Sequence, residues 1–310
     1  MGHAHPHRHH HEPAHHSAAS NAALFAFAVA LNLAFVAAET VFGLIGGSMA
    51  LLADAGHNFG DALGLGAAFV ATQLARREPS HRFTYGLGSS SILAALLNAI
   101  ILLIAVGAIA AEAIRRLTTP TPVAGETVIA VALAGVVVNG IIALLLSRGS
   151  DQHDLNLRTA LVHALSDAGI SLGVAASGAL VIATGWLRLD PAVSLAIAAV
   201  IVIGTWRLLQ RSLAMALHAV PHQIDPAAVR AQLAAVPGVT AVHDLHIWPM
   251  STTETALTVH LVMPEGHPGD ATLSSLIGEL DRRFAIGHAT IQIETGNGEL
   301  VCPLVSERVV

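Results

Sequence analysis

The stretch SMALLADAGHNFGDALGLGAAFVA, residues 48–71, is apolar enough to suggest a bilayer span, yet it carries Asp54, His57 and Asp61. A second apolar stretch, LVHALSDAGISLG at residues 161–173, repeats the His-x-x-x-Asp pair as His163 and Asp167. An aspartate at the centre of a membrane helix costs roughly 2.5–3.5 kcal/mol even on the low scales, so each needs a partner. Residues four apart on a helix share a face, offset by about 40° and about 6 Å. Each motif therefore presents one imidazole and one carboxylate together. Two such helices side by side offer two nitrogens and two oxygens to one point. That set suits Zn²⁺, which accepts tetrahedral N/O coordination at about 2.0–2.2 Å. Two carboxylates also balance a divalent ion in a low-dielectric bundle, where without metal they repel each other or take up protons. A single His-x-x-x-Asp pair reads equally as a helix–helix hydrogen bond; a second copy in another span favours the metal.

The rest of the chain supports a membrane setting. Of 310 residues, 54% are hydrophobic and only 12% charged, about half the charged share of a soluble domain. Apolar runs reach the roughly 20 residues a spanning helix needs. Six spans are expected, at 22–45, 50–75, 86–115, 124–147, 159–184 and 190–214, separated by GLIGGS, RREPSHR, TTPTP, SRGSDQHD and GWLRLDP. Gly56, Gly60 and Gly64 form a stripe of small residues beside the first motif, and Gly169, Gly173 and Ser177 another beyond the second. Such stripes let membrane helices approach closely, so spans two and five are expected to touch there.

With six spans both termini share a side, and arginines set which. That side holds Arg8, Arg76, Arg77, Arg82, Arg148, Arg158, Arg207 and Arg211, against Arg115, Arg116 and Arg188 opposite, so both termini are expected in the cytoplasm. Spans two and five then run antiparallel. Residues 1–20 form a polar tail, with eight of the nineteen histidines in 1–16. The tail is expected to be disordered, with metal-binding composition, a cloning tag being the other reading. It shows no cleavable signal pattern, so the first apolar run is expected to be retained. The net charge of −6 is mild and gives no support to nucleic-acid binding. A lone cysteine, Cys302, excludes an internal disulfide.

Composition changes near residue 219, where a small soluble α+β domain is expected over 219–310, following a transmembrane domain over 21–218. HQIDPAAVRAQLAAVPGV reads as a short helix with Asp225 near its start as a cap. AVHDLHIWPM and TALTVHLVMP alternate as strands. DATLSSLIGELDRRFA reads as a second helix and HATIQIET as a third strand.

These motifs, with HRFTYG (81–86) and HDLHIWPM (243–250), make the chain resemble the cation diffusion facilitator family, in its bacterial zinc/cadmium/cobalt exporter branch. The resemblance covers residues 22–296. It implies six spans, a ferredoxin-like cytoplasmic domain, a homodimer, and a place in the bacterial inner membrane with the lipid bilayer as solvent. It implies export of divalent metal in exchange for protons, with His57, Asp61, His163 and Asp167 as transport ligands. Histidine at the first ligand position of span two goes with zinc preference in that family. Some members hold a further ion in the loop after span two. Here Glu78 and His81 match, but Tyr85 stands where the last histidine is expected. His243 and His260 match cytoplasmic-domain positions that bind zinc in some relatives, with His222 and Glu294 as additions and Cys302 as a weaker one; His243 and His260 lie on adjacent expected strands.

Other polar groups in the spans have two readings each. Asp54, one turn before His57, either orients it as an outer partner or serves as a proton stop. Glu39, Asn32, Asn98 and Asn139 either line a hydrated path or hydrogen-bond between helices, the second being preferred for the asparagines. A neutral imidazole is needed to ligate, and its ordinary pKa of about 6.5 lets protons compete with metal near neutral pH. No phosphate-binding glycine loop is present, which disfavours drive by ATP. The reading is therefore a proton-coupled exporter of Zn²⁺, with Cd²⁺, Co²⁺ and Ni²⁺ as further cargo, working by alternating access. The rivals are a membrane-embedded metalloenzyme, which needs an open metal position and lacks an HExxH, and a metal sensor that does not transport.

Overall fold

The computed structural model describes residues 15–147 and 155–296. Six long helices come first: α1 (His15–Gly46), α2 (Met49–Ala75), α3 (Ser90–Thr118), α4 (Gly125–Ser147), α5 (Leu155–Thr184) and α6 (Leu189–Ala216). After them come α7 (Pro226–Ala234), β1 (Ala241–Pro249), β2 (Thr255–Val262), α8 (Asp270–Phe284) and β3 (His288–Glu294). The His-rich segment 1–14 and Cys302 lie outside the described residues. Three starts differ from expectation by four residues or more, α5 among them at Leu155 rather than 159. α1 begins at His15, inside the segment assigned to the tail, because SAASNAAL is rich in helix formers although not apolar. α3 begins at Ser90 rather than 86, because Gly86 takes a left-handed φ of 71° and turns the chain first.

Among the described residues five helices are long and apolar enough to cross a membrane: α1, α3, α4, α5 and α6. α2 is not one of them; it carries Asp54, His57, Asn58 and Asp61. The groups that make α2 chemically interesting are the ones that lower its apolarity.

By contacts the described residues fall into two compact units, one within Met1–Ala62 and Ala105–Ile201, the other within Leu63–Ile104 and Val202–Val310. The division passes through α2, α3 and α6. In the first unit α4 packs closely on α5 and α1 at glycines. A Cβ on Gly125 would meet Ile182 Cγ1 at 2.6 Å, and one on Gly135 would meet Phe35 Cζ at 2.6 Å and Ser171 Oγ at 2.8 Å. The start of α2 is held from α6. Ser48 Oγ accepts from the Leu51 N–H at 3.2 Å and donates to Asp190 Oδ1 at 2.5 Å, while Asp190 Oδ2 accepts from the Met49 N–H at 2.7 Å. A buried carboxylate thus satisfies free N–H groups at the positive end of the helix that carries His57 and Asp61.

The small-residue stripes do not do what their spacing suggests. A Cβ on Gly56 would meet Ile109 of α3 at 3.1 Å, one on Gly64 would meet Asn98 at 3.0 Å, and Gly169 and Gly173 face open space. α2 and α5 meet through polar side chains that reach across, not through backbones pressed together.

In the second unit β1 pairs antiparallel with β2, and β2 pairs parallel with β3, in the order β1-β2-β3. Val229 and Leu233 of α7 and Leu276 and Leu280 of α8 pack with Leu245, Ile247, Leu257, Val259 and Leu261 of the strands. Period-two alternation sends the intervening strand residues to the opposite face. Asp225 caps α7 as expected, accepting from the Ala227 N–H at 2.9 Å, with Pro226 at the first helical position. The sheet therefore offers one core face and one free to carry polar chemistry.

Candidate metal centres

The antiparallel run of α2 and α5 dictates how the two motifs meet. The first residue of each must face the last of the other. His57 Nε2 lies 3.4 Å from Asp167 Oδ1, and His163 Nε2 lies 3.1 Å from Asp61 Oδ2. Within each motif the separations are 3.7 Å (His57 Nδ1 to Asp61 Oδ2) and 3.5 Å (His163 Nε2 to Asp167 Oδ2). The two rings stand edge to face with centroids 6.1 Å apart. His57, Asp61 and Asp167 offer one ligand atom each within 4.8 Å of one another, and His163 closes the set through both carboxylates. His57 Nδ1, Asp61 Oδ2 and Asp167 Oδ1 are buried and have no hydrogen-bond partner among the described residues. Lone pairs that converge without bonding each other suit a cation placed between them.

A second constellation sits on the face of the sheet away from the α7–α8 core. His243 is opposite His260 in the antiparallel pair, while Gln292 is opposite His260 and Glu294 opposite Val262 in the parallel one. Residues 243, 260, 292 and 294 therefore share a face. His243 Nε2 lies 3.1 Å from Glu294 Oε2, and His260 Nδ1 lies 2.8 Å from Glu294 Oε1, with ring centroids 5.2 Å apart. These three side chains form the other cluster able to hold a metal among the described residues.

The remaining candidates are not brought to either point. His222 is exposed and stands outside the sheet cluster. Glu78 and His81 are exposed in the loop after α2 and join no metal-competent group among the described residues. Tyr85 instead packs edge-on against His288 at 5.6 Å. Asp54 is fully buried; its Oδ2 accepts from Ser171 Oγ at 2.9 Å and its Oδ1 from Asn58 Nδ2 at 3.5 Å. Asn58 also donates to Glu39 Oε2 at 3.2 Å. Asp54 thus ties α2 to α5 one turn from the ligands. Asn98 stands beside Gly64, Asn139 is buried, and Asn32 is half-buried. Sequence reasoning missed Asn58, Ser171 and Asp190. Asn58 and Ser171 each lie three or four residues from a ligand or from Asp54, a spacing that marks a shared helix face.

The sequence model described as the cation efflux transmembrane domain matches residues 25–215, and the one described as the cytoplasmic domain of cation efflux proteins matches residues 221–296. The chain belongs to the cation efflux family. It is 36% identical over 289 residues to the zinc transporter ZitB of Escherichia coli, covering 93% of this chain and 92% of that one. It is 36% identical over 268 residues to the metal cation efflux system protein CzcD of Cupriavidus metallidurans, covering 86% and 84%. To the cadmium, cobalt and zinc/H(+)-K(+) antiporter of Bacillus velezensis it is 30% identical over 299 residues, covering 95% and 92%. The chain is thus a multi-pass membrane transporter of metal cations and not an enzyme.

Proposed function

We propose that this chain exports Zn²⁺ from the bacterial cytoplasm across the inner membrane in exchange for protons, with Cd²⁺, Co²⁺ and Ni²⁺ as further cargo. The observation that carries the reading is the crossed pairing of His57 with Asp167 and His163 with Asp61. Two imidazoles and two carboxylates supply a four-ligand N/O set whose charge balances a divalent ion. α2 is the sixth span, with Asn58 bonded to Glu39 of α1 and Asp54 to Ser171 of α5. Both termini lie in the cytoplasm. Protons arriving from the far side compete for the imidazoles and carboxylates, because a ligand must be deprotonated to hold metal. The bundle then alternates between the two sides around this point, as a transporter with a mid-membrane site does.

The C-terminal domain is read as a ferredoxin-like fold with three strands in place of four. It pairs two chains into a homodimer and holds a resident ion at His243, His260 and Glu294. The His-rich tail gathers metal near the cytoplasmic mouth. The relatives' names favour this cargo and this coupling: a zinc transporter, and an antiporter of cadmium, cobalt and zinc with H(+) and K(+). The test is zinc uptake into inverted vesicles under an imposed pH gradient. Uptake that rises with the gradient supports proton coupling; uptake indifferent to it overturns that part of the reading.

A further inference from the structure

The C-terminal cluster has a feature that its three ligands do not explain. β1 and β2 pair at His243↔His260 and next at His246↔Thr258, so two residues of β1 face one of β2. This is a β-bulge. Its extra residue is Asp244, whose φ of 51° is left-handed, a conformation that L-residues avoid and that aspartate tolerates better than most. The bulge keeps Leu245 and Ile247 in the core while turning the Asp244 carboxylate toward the ligand face. There Asp244 Oδ2 lies 3.4 Å from His260 Nε2, and Oδ1 lies 2.7 Å from Nε2 of the more exposed His246.

His260 therefore stands between two carboxylates, one at each ring nitrogen. Glu294 is at Nδ1, 2.8 Å away, and Asp244 is at Nε2. A neutral imidazole carries one hydrogen, and the nitrogen that ligates must be the other one. If Nδ1 shares an ion with Glu294, the hydrogen belongs on Nε2, where Asp244 is placed to receive it. Ligating histidines commonly hand their second N–H to a carboxylate, which fixes the ring and raises its basicity.

We propose that Asp244 is the positioning residue of the C-terminal metal site: from the β1 bulge it holds His260 with its hydrogen on Nε2, so that Nδ1 faces the ion shared with His243 and Glu294. His246 anchors the other carboxylate oxygen. This rests on the reading of His243, His260 and Glu294 as metal ligands.

The experiment is a Co²⁺ titration of the full-length chain in detergent, followed by the visible bands of the bound ion, with Glu294→Ala as the blank for this site. Asp244→Gly keeps the left-handed backbone and removes the carboxylate; Asp244→Asn keeps an acceptor oxygen as well. Asp244→Gly is expected to weaken Co²⁺ binding at the site by roughly 10–100-fold and to shift its bands. Asp244→Asn is expected to recover most of that loss. A structural role for the turn alone predicts no loss in Asp244→Gly, and that result overturns the proposal while leaving the site standing. Equal losses in Asp244→Gly and Asp244→Asn also overturn it, assigning the effect to charge rather than to the hydrogen on Nε2. If Glu294→Ala binds Co²⁺ as the unmodified chain does, the three-ligand reading fails first, and the role of Asp244 falls with it.

Discussion

The two clusters use the same chemical vocabulary in two different settings. Each places a pair of imidazoles edge to face beside carboxylates, at 6.1 Å on α2 and α5 and at 5.2 Å on the sheet. They differ in access and in charge. At the helical site His163 is 49% exposed and Asp61 32%, with His57 at 20% and Asp167 at 8%; at the sheet site His260 is 19%, His243 12% and Glu294 9%. The helical site has two carboxylates for two imidazoles; the sheet site has one. An ion that must leave suits ligands that protons can reach and whose full set neutralises it. An ion that must stay suits a pocket in which every ligand is mostly buried.

That contrast is most sharply broken at the helical carboxylates. Asp61→Ala or Asp167→Ala should lower zinc flux in proteoliposomes by more than about 100-fold, beyond what loss of an outer partner costs. The sheet site should still bind metal in the same protein. The converse variant, Glu294→Ala, should empty the sheet site yet lower flux by no more than about tenfold, toward the low end of what coupling between two sites carries. If Glu294→Ala abolishes flux, the division between cargo and resident ion is wrong.

Proton competition should act at both clusters, since each has two imidazoles. A neutral ring ligates and a protonated one does not, so metal affinity should fall on acidification. Metal titrations at pH 7.5 and 5.5 check the sign; affinity that rises on acidification contradicts it. A purely structural change should be milder. Gly135→Ala places a Cβ 2.6 Å from Phe35 and 2.8 Å from Ser171 Oγ, which bonds Asp54. Overpacking of this kind costs about 1–3 kcal/mol and should lower the thermal midpoint in detergent. The smallest effect is expected from deleting residues 1–14, which should lower the rate at limiting zinc without abolishing transport.

The helical cluster was legible in the sequence and the sheet cluster only partly so, for a physical reason. An i,i+4 spacing fixes which side chains share a helix face, so His57 with Asp61 and His163 with Asp167 could be paired before any fold was known. The crossed contacts then follow from the antiparallel run of two spans. On a sheet, partners depend on register. His243 could be set opposite His260 by strand alternation, but Glu294 reaches them through a parallel pairing 34 residues further along the chain, and Asp244 through a bulge that nothing in HDLHIW announces. The glycine stripes misled because small residues permit close approach without naming the neighbour; Gly56 and Gly64 face α3 side chains instead. The six helices and the αββαβ order were recovered because apolar runs and turn residues alternate cleanly along the chain.

The most direct measurement is X-ray absorption at the zinc edge on a chain lacking residues 1–14 and carrying Glu294→Ala, so that the helical site is the one left to fill. The account predicts one zinc per chain with about four N/O neighbours at roughly 2.0–2.1 Å, two of them imidazoles, and no such ion once Asp61 and Asp167 are both changed to alanine. Stoichiometric zinc with an unaltered imidazole signature in that last variant would contradict it.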